Sequence, residues 1–447
     1  MSLHDVVRDL LPEVLADLKE LITIESVSAD PARAAEVERS AESIVRLLAD
    51  LGCPDVRVIR APGGAPAVIG RFPPPQGMPT VCLYAHHDVQ PEGDPEGWRT
   101  PPFVATELKG RLFGRGTSDD KAGFAVHLAA LRAFDGKPPV GVTVFVEGDE
   151  EIGSEGLPRL VEEHRAEFAA DVFVITDSCN WAVGQPAFTT TLRGLAACTV
   201  EVRTLDHALH SGVYGGVVPD ALTALCRLLA TLHDDRGNVA VAGLRTASAP
   251  ALEYPPERLR AETGILDGVD WIGSGSFVER IWYKPAVSVV ALDATPVDKA
   301  SNTLIPAARA KISLRVAPGD DAAKALAALI AHLEDHAPWG AQVTVTRGGA
   351  AEPSVIDFSG PYAEAARAAF TQAWGVVPIF VGQGGSIPMV AEFGKAFPEA
   401  TILVTAIGDP DSRAHGTDES LHLGDFAAAC VAETLMLDAF AHLDRKP

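Results

Sequence analysis

The chain has 447 residues, too many for a single hydrophobic core, so two domains are expected. Hydrophobic residues make up 47% and charged residues 22%, a globular balance, and a formal charge of -23 argues against nucleic acid or an anionic membrane as a partner. No run of about 18 apolar residues suggests a membrane span, MSLHDVVRDLL lacks the basic flank and apolar core of a secretory signal, and six cysteines without CxxC spacing point to buried free thiols in a reducing, cytoplasmic compartment.

Apolar positions from Val7 to Ile22 recur at helical spacing and predict a helix over 3–23. Asp30-Pro31 supplies an N-cap and first-turn proline for a second helix through Ala49. Strand-type runs follow at 56–60, 67–72 and 80–85, and the last ends in His86-His87-Asp88. Strand alternation puts His86 and Asp88 on one face and leaves His87 on the other as a packing residue. A His and an Asp at the carboxyl end of an apolar strand occupy the place where open α/β sheets carry their chemistry.

Gly114-Arg-Gly-Thr-Ser-Asp-Asp-Lys-Ala-Gly123 then reads as a turn into a helix over 124–134. Its spacing is not that of a P-loop. Ser118 or Asp119 either caps that helix or aims a carboxylate back at His86. The strand 142–146 leads into Glu147-Gly148-Asp149-Glu150-Glu151, where four acids within five residues repel one another unless solvent or a cation relieves them. Of these, Asp149 reads as a solvated loop acid, and Asp120 in the preceding turn as a helix-start residue. Another apolar strand, 172–175, ends at Asp177. His86, Asp88, Asp119, Glu150, Glu151 and Asp177 thus all fall at or just beyond strand ends. In a parallel sheet those ends share one edge, which points to a metal centre.

From about Thr189 the pattern changes. Strand, helix 218–234, strand 287–292, strand 308–316, helix 321–336 and strand 342–346 suggest a small α/β sandwich inserted into the first domain. The expected domains are 1–187 with 354–447, and 188–353. The chain then resumes with helix 361–374, strand 377–381, the turn Gly382-Gln-Gly-Gly-Ser386-Ile-Pro388, strand 400–406, a loop holding His415, and helix 424–442.

The motifs AHHDVQP, GRGTSDDKAG, EGDEEIGS, TDS, HSGVYGG, GGSIP and AHGTDE, in that order over nearly the whole chain, resemble the zinc-dependent aminoacylase and dipeptidase family of metallopeptidases, in particular the branch of cytosolic non-specific dipeptidases and carnosinases. The resemblance implies an α/β, mixed-sheet di-zinc catalytic domain carrying an inserted lid and dimerisation domain. It implies His86 and Asp177 as ligands of one zinc, Glu151 and His415 as ligands of the other, and Asp119 as the bridge. Asp88 would orient His86, and Glu150 would act as general base. His210 would reach the active site of the partner in a homodimer, with His207 its rival for that part. Arg315 would hold the substrate carboxylate, and Ser386 and Asn302 would lie near the substrate. Many family members carry an Arg where this chain has Gly382, which leaves the chain-end preference open. Glu419 reads as a helix cap.

These residue types suit the chemistry. Zinc accepts imidazole nitrogen and carboxylate oxygen, and a catalytic site keeps a position open for water. Glu150 and Glu151 would then divide their work, one free as a base and one bound to metal. The expected activity is hydrolysis of small peptides, chiefly dipeptides, with two divalent ions, Zn2+ or else Mn2+ or Co2+. The alternative is removal of acyl, succinyl or carbamoyl groups from amino acids on the same scaffold. A non-catalytic metal-binding protein would be expected to lack Glu150 or a ligand, and this chain has them all.

Overall fold

A computed structural model describes residues 1–443. The chain forms two compact units. The first comprises Met1–Thr190 and Ile356–Val381 and resumes at Ile387; the second comprises Thr191–Val355 and Gly382–Ser386.

The first unit is built on a mixed sheet in the order Asp55–Ile59, Ala67–Phe72, Gly141–Glu147, Thr80–His86, Val172–Thr176, Thr401–Thr405, Ala187–Leu192. Thr80–His86 lies parallel to both of its neighbours, and Thr401–Thr405 lies parallel to Val172–Thr176. Four carboxyl ends therefore share one edge. The outer strands run antiparallel. The central strands are buried on both faces, which is why they read as nearly continuous apolar runs rather than alternating ones.

Helices Leu3–Ile22, Lys121–Ala133 and Leu423–Ala441 pack together through Val14, Leu18, Ile22, Ala125, Ala129 and Phe426. Ile44, Leu48, Phe124, Leu128 and Leu437 join the sheet residues Leu83, Val144 and Val174 in a second cluster. Each large side chain buried there contributes about 1.5–3 kcal/mol, which keeps the strand ends in fixed positions. The second of those helices in chain order starts at Lys121 rather than at Phe124. Lys121 is buried, and its Nζ donates to the carbonyls of Leu21 (2.9 Å) and Ile24 (2.7 Å), tying the start of this helix to the end of Leu3–Ile22.

The second unit is a four-stranded antiparallel sheet in the order Ala286–Asp293, Ala307–Val316, Gly194–Arg203, Gln342–Ala351. Helices Ala221–Ala230 and Ala322–Asp335 bury Leu225, Leu228, Leu326 and Leu329 against Cys198, Val200, Ile312 and Leu314. Helix Ala221–Ala230 begins at the Asp220 cap, whose carboxylate accepts the Thr223 N–H, so it is shorter than the 218–234 expected. The loop Gly382–Ser386 groups with this unit because Arg193 binds it twice, its N–H donating to Gln383 O (3.1 Å) and its Nε to Gly384 O (3.2 Å). No helix among the described residues is long and apolar enough to cross a membrane. Four of the cysteines are buried as expected, whereas Cys179 and Cys226 are exposed; all six are free.

Candidate metal centre

Every residue expected to bind metal lies in the first unit; His86, Glu150, Glu151, Asp177 and His415 are at or beyond strand ends of the shared edge, whereas Asp119 comes from the turn after Arg111–Phe113, a strand of a separate three-stranded sheet. His86 closes the strand Thr80–His86, and its Nε2 lies 3.1 Å from Asp119 Oδ1, 3.9 Å from Asp177 Oδ1 and 4.0 Å from Glu150 Oε2. His415 Nε2 lies 3.1 Å from Asp119 Oδ2 and 3.2 Å from Glu151 Oε2. Asp119 therefore stands between the two histidines, one oxygen toward each.

Main-chain and side-chain contacts hold these groups. His86 Nδ1 lies 3.0 Å from the carbonyl of Asp88, closer than the 3.5 Å to its carboxylate. The Asp88 carboxylate is fully buried and mainly serves the next turn. It accepts the N–H of Glu150 (3.2 Å) and of Glu151 (3.1 Å) and the Ser28 hydroxyl (2.6 Å). Gln90 donates to Glu151 through its own N–H (3.1 Å) and its amide (2.7 Å). His87 is buried with Nε2 at 2.8 Å from Pro66 O, a packing role as expected.

The electrostatics of the protein alone are those of a cation site. Burial pushes the Asp177 carboxyl well above the usual range, and Asp120, Asp119 and Glu151 add to this. Burial raises Glu150 too, with Asp177 and Glu151 adding to it. Burial opposes the charge on Asp119 as well, but hydrogen bonds to His415 and His86 outweigh it and hold that carboxyl below its ordinary value. His415 is raised to about 10 by Asp119 and Glu151, and for His86 the neighbouring carboxylates overcome the burial term and raise it well above the usual imidazole range.

The donor set fits divalent ions. One ligand atom each from His86, Asp119 and Glu151, and one each from His86, Asp120 and Asp177, lie within 4.8 Å of one another. At metal–ligand lengths of about 2.0–2.1 Å, tetrahedral ligand atoms stand about 3.4 Å apart. The 3.1–3.2 Å spacings of His86, Asp119, His415 and Glu151 are close to that.

Two readings of single acids change. Asp149 is buried rather than solvated; burial raises its carboxyl, although a hydrogen bond with Glu147 works the other way. Glu419 caps no helix of its own segment, because His422 caps Leu423–Ala441; its carboxylate is turned instead into the Gly114–Asp119 turn. Asp120 stands at the helix start, as the sequence suggests, but its carboxylate accepts the His86 N–H (3.2 Å) in place of a capping bond. Neither Gln90 nor Ser28 was expected as a partner of the site. Gln90 could have been found from its place in the AHHDVQP run, while Ser28 carries no signal.

The remaining expected residues lie in the second unit. His210 is exposed and pairs in register with Thr303, and the Ser211 N–H donates to Asn302 O (2.9 Å), so His210 and Asn302 are neighbours. His207 is exposed and pairs with Asp206. Arg315 is half-buried. Burial lowers its pKa, and Arg193 is lowered to about 10 by burial and by the charge of Arg315; among the described residues neither arginine pairs with a carboxylate. Ser386 is half-buried. A Cβ added to Gly382 would sit 2.7 Å from both Thr191 Oγ1 and Trp282 Cβ, so a side chain at this position would require its neighbours to shift.

Comparison with known proteins agrees with this geometry. The chain is 35% identical over 431 residues to a cysteinylglycine-S-conjugate dipeptidase of Corynebacterium striatum, covering 95% of this chain and 94% of that one. It is 28% identical over 444 residues to the human beta-Ala-His dipeptidase, covering 92% and 86%. Among solved structures, the di-peptidase Dug1p of Saccharomyces cerevisiae superposes with a TM-score of 0.87 at 25% identity, covering 99% of this chain and 98% of that one. The model of Peptidase family M20/M25/M40 matches residues 82–438, and the chain belongs to that family.

Proposed function

We propose that the protein is a metal-dependent dipeptidase that uses two divalent ions. The observation that carries this reading is Asp119, whose two oxygens face His86 and His415 at 3.1 Å each, in a family whose similar relatives are named dipeptidases. When two ions are bound, His86 and Asp177 would hold one, Glu151 and His415 the other, and Asp119 would serve both. When bound, such a pair lowers the pKa of water toward ~7 and polarises the scissile carbonyl. Zn2+ suits the nitrogen and carboxylate donors best, with Mn2+ and Co2+ as alternatives.

Glu150 is the general base. It stands at the edge of the cluster, 4.0 Å from His86, and makes no ion pair with Lys or Arg among the described residues. It takes a proton from the attacking water and returns it to the departing amine. Asp88 fixes the turn that aims Glu150. Arg315, a planar cation with no acidic partner among the described residues, takes the substrate carboxylate, with Ser386 beside the same chain end and Asn302 near the scissile group. The second unit, 191–355, serves as lid and as the contact of a homodimer, and His210 completes the partner's site. The unpaired strand edge of Ala286–Asp293, with Val289, Val290 and Leu292 exposed, supports that use. Six free cysteines agree with a cytoplasmic setting.

The test is an assay of metal-stripped and reloaded protein on free dipeptides and on N-acetyl and N-succinyl amino acids, with wild type and Glu150→Gln side by side. Dipeptide cleavage that requires metal and Glu150 is expected. Turnover of the N-acyl compounds alone would move the activity to deacylation.

A further inference from the structure

Glu419 is fully buried, and its carboxylate takes five donors. Oε1 accepts the N–H of Ser118 (2.9 Å) and of Asp119 (3.1 Å) and the Ser118 hydroxyl (3.2 Å). Oε2 accepts the N–H of Gly116 (3.0 Å) and Nη1 of Arg115 (2.8 Å). The Glu419 carbonyl takes a further N–H, from Gly114 (3.0 Å). Backbone N–H groups that converge in a turn form a concavity suited to an anion, and here the anion is a side chain from a distant segment.

The contacts run in both directions. Ser420–His422 pairs antiparallel with Arg111–Phe113, which brings Glu419 beside the turn that follows that strand. Arg115, equally buried, answers from the turn. It holds Glu419 through Nη1, and its Nη2 donates to Gly416 O (2.9 Å), the residue after His415. The turn that carries Asp119 and the loop that carries His415 are therefore fastened to each other by one buried ion pair and a set of N–H bonds. Asp119 spends its N–H on Glu419 and keeps both carboxylate oxygens for the histidine side of the cluster.

We propose that Glu419 is a positioning residue that sets the bridging geometry of Asp119 and the distance of His415 from it. This rests on the two-ion reading above. Glu419 touches neither ion nor substrate and acts through Asp119. Replacing it with Gln keeps size and shape but presents an NH2 group to donors, so whichever way the amide turns, either the Oε1 or the Oε2 contacts are lost. Asp keeps the charge and withdraws it by one methylene.

The experiment is a Mn2+ titration of full-length wild type, Glu419→Gln and Glu419→Asp, with bound metal counted after equilibrium dialysis and the Mn2+ pair followed by electron paramagnetic resonance. In wild type, two ions per chain and a spin-coupled pair are expected. In Glu419→Gln, affinity for the second ion falls about 10–100-fold and the residual signal is that of isolated Mn2+; Glu419→Asp is intermediate. A role confined to fold stability would lower the melting temperature and leave stoichiometry and coupling as in wild type. Wild-type affinity and coupling in a folded variant overturns the proposal, and so does failure of both variants to fold. A wild-type chain holding fewer than two ions overturns the two-ion reading itself.

Discussion

Asp88→Asn separates two roles that one residue could have. The His86 ring is held by the Asp88 main-chain carbonyl at 3.0 Å, which the substitution does not alter. The carboxylate accepts the N–H of Glu150 at 3.2 Å through Oδ1, and the N–H of Glu151 at 3.1 Å and the Ser28 hydroxyl at 2.6 Å through Oδ2. Asn offers one acceptor oxygen, and the Ser28 hydroxyl can reverse to accept from the new amide. One backbone N–H, of Glu150 or of Glu151, then loses its partner in a buried setting. That loss costs about 1–3 kcal/mol, or about 5–150-fold in an equilibrium constant. The cost falls on the turn that carries Glu150 and Glu151, so the ion beside Glu151 and His415 should weaken while the ion beside His86 stays. Equilibrium dialysis with Co2+ measures this, with His415→Ala and His86→Ala as spectral references for loss of each ion. The singly loaded Asp88→Asn protein should match His415→Ala. If it matches His86→Ala instead, the carboxylate orients His86 as the sequence suggested, and the reasoning from the 3.0 Å and 3.5 Å distances fails.

Glu150→Gln should lower kcat about 10²–10⁴-fold while leaving two ions bound, measured by steady-state kinetics and metal analysis on the same samples. Removing metal should make stability fall as pH rises. His415 is raised to about 10 in the folded protein, and Asp177 and Glu150 are raised too, so the folded metal-free state binds more protons than the unfolded state. For His415 the stabilisation is complete below about pH 6.5 and lost by about pH 10; Asp119, lowered, has the opposite sign but titrates below about pH 4 and lies outside that window. Thermal melts in chelator should therefore drop across pH 6.5–10 while metal-loaded melts hold, and parallel curves would refute this. Arg315→Met should lower kcat/KM for free dipeptides about 10–100-fold and leave C-terminally amidated peptides nearly unchanged. Gly382→Ala should destabilise the protein by about 1–3 kcal/mol in urea unfolding, because its Cβ meets Thr191 and Trp282 at 2.7 Å.

The strands and helices were legible because their signals are local. Val81–Ala85 and Val172–Ile175 are unbroken apolar runs, Val142–Val146 is interrupted only by Thr143, and each is buried on both faces of the sheet. The proximity of His86, Glu150, Glu151 and Asp177 was legible for the same reason, since each stands at or beyond the carboxyl end of a strand-like run and such ends collect on one edge; Asp119 joins them from a turn that follows a strand of another sheet. What could not be read was which acid serves as a potential ligand and which as a fastening. Ser28 and Asp88 are 60 residues apart, and Ser118 and Glu419 are 301 apart; no periodicity reports such pairs. Asp149 appeared solvated and is buried, because a polar letter after a strand says nothing about what closes over it.

The structure supplies the missing distinction through the N–H groups. Asp88 and Glu419 each have both oxygens taken by backbone N–H groups, so their charge is spent on holding turns. Asp119 and Asp177 have oxygens that face imidazole nitrogen and other carboxylates, and the same holds for Glu150. Glu151 is divided, with Oε1 on the Gln90 N–H and Oε2 shared between the Gln90 amide and His415 at 3.2 Å. Carboxylates of equal charge thus separate into those whose field the backbone has already answered and those whose field is answered only by protons or by a cation. At neutral pH a metal is the less costly answer, and this is the physical reason for proposing the unanswered acids, rather than all the acids of these motifs, as its ligands.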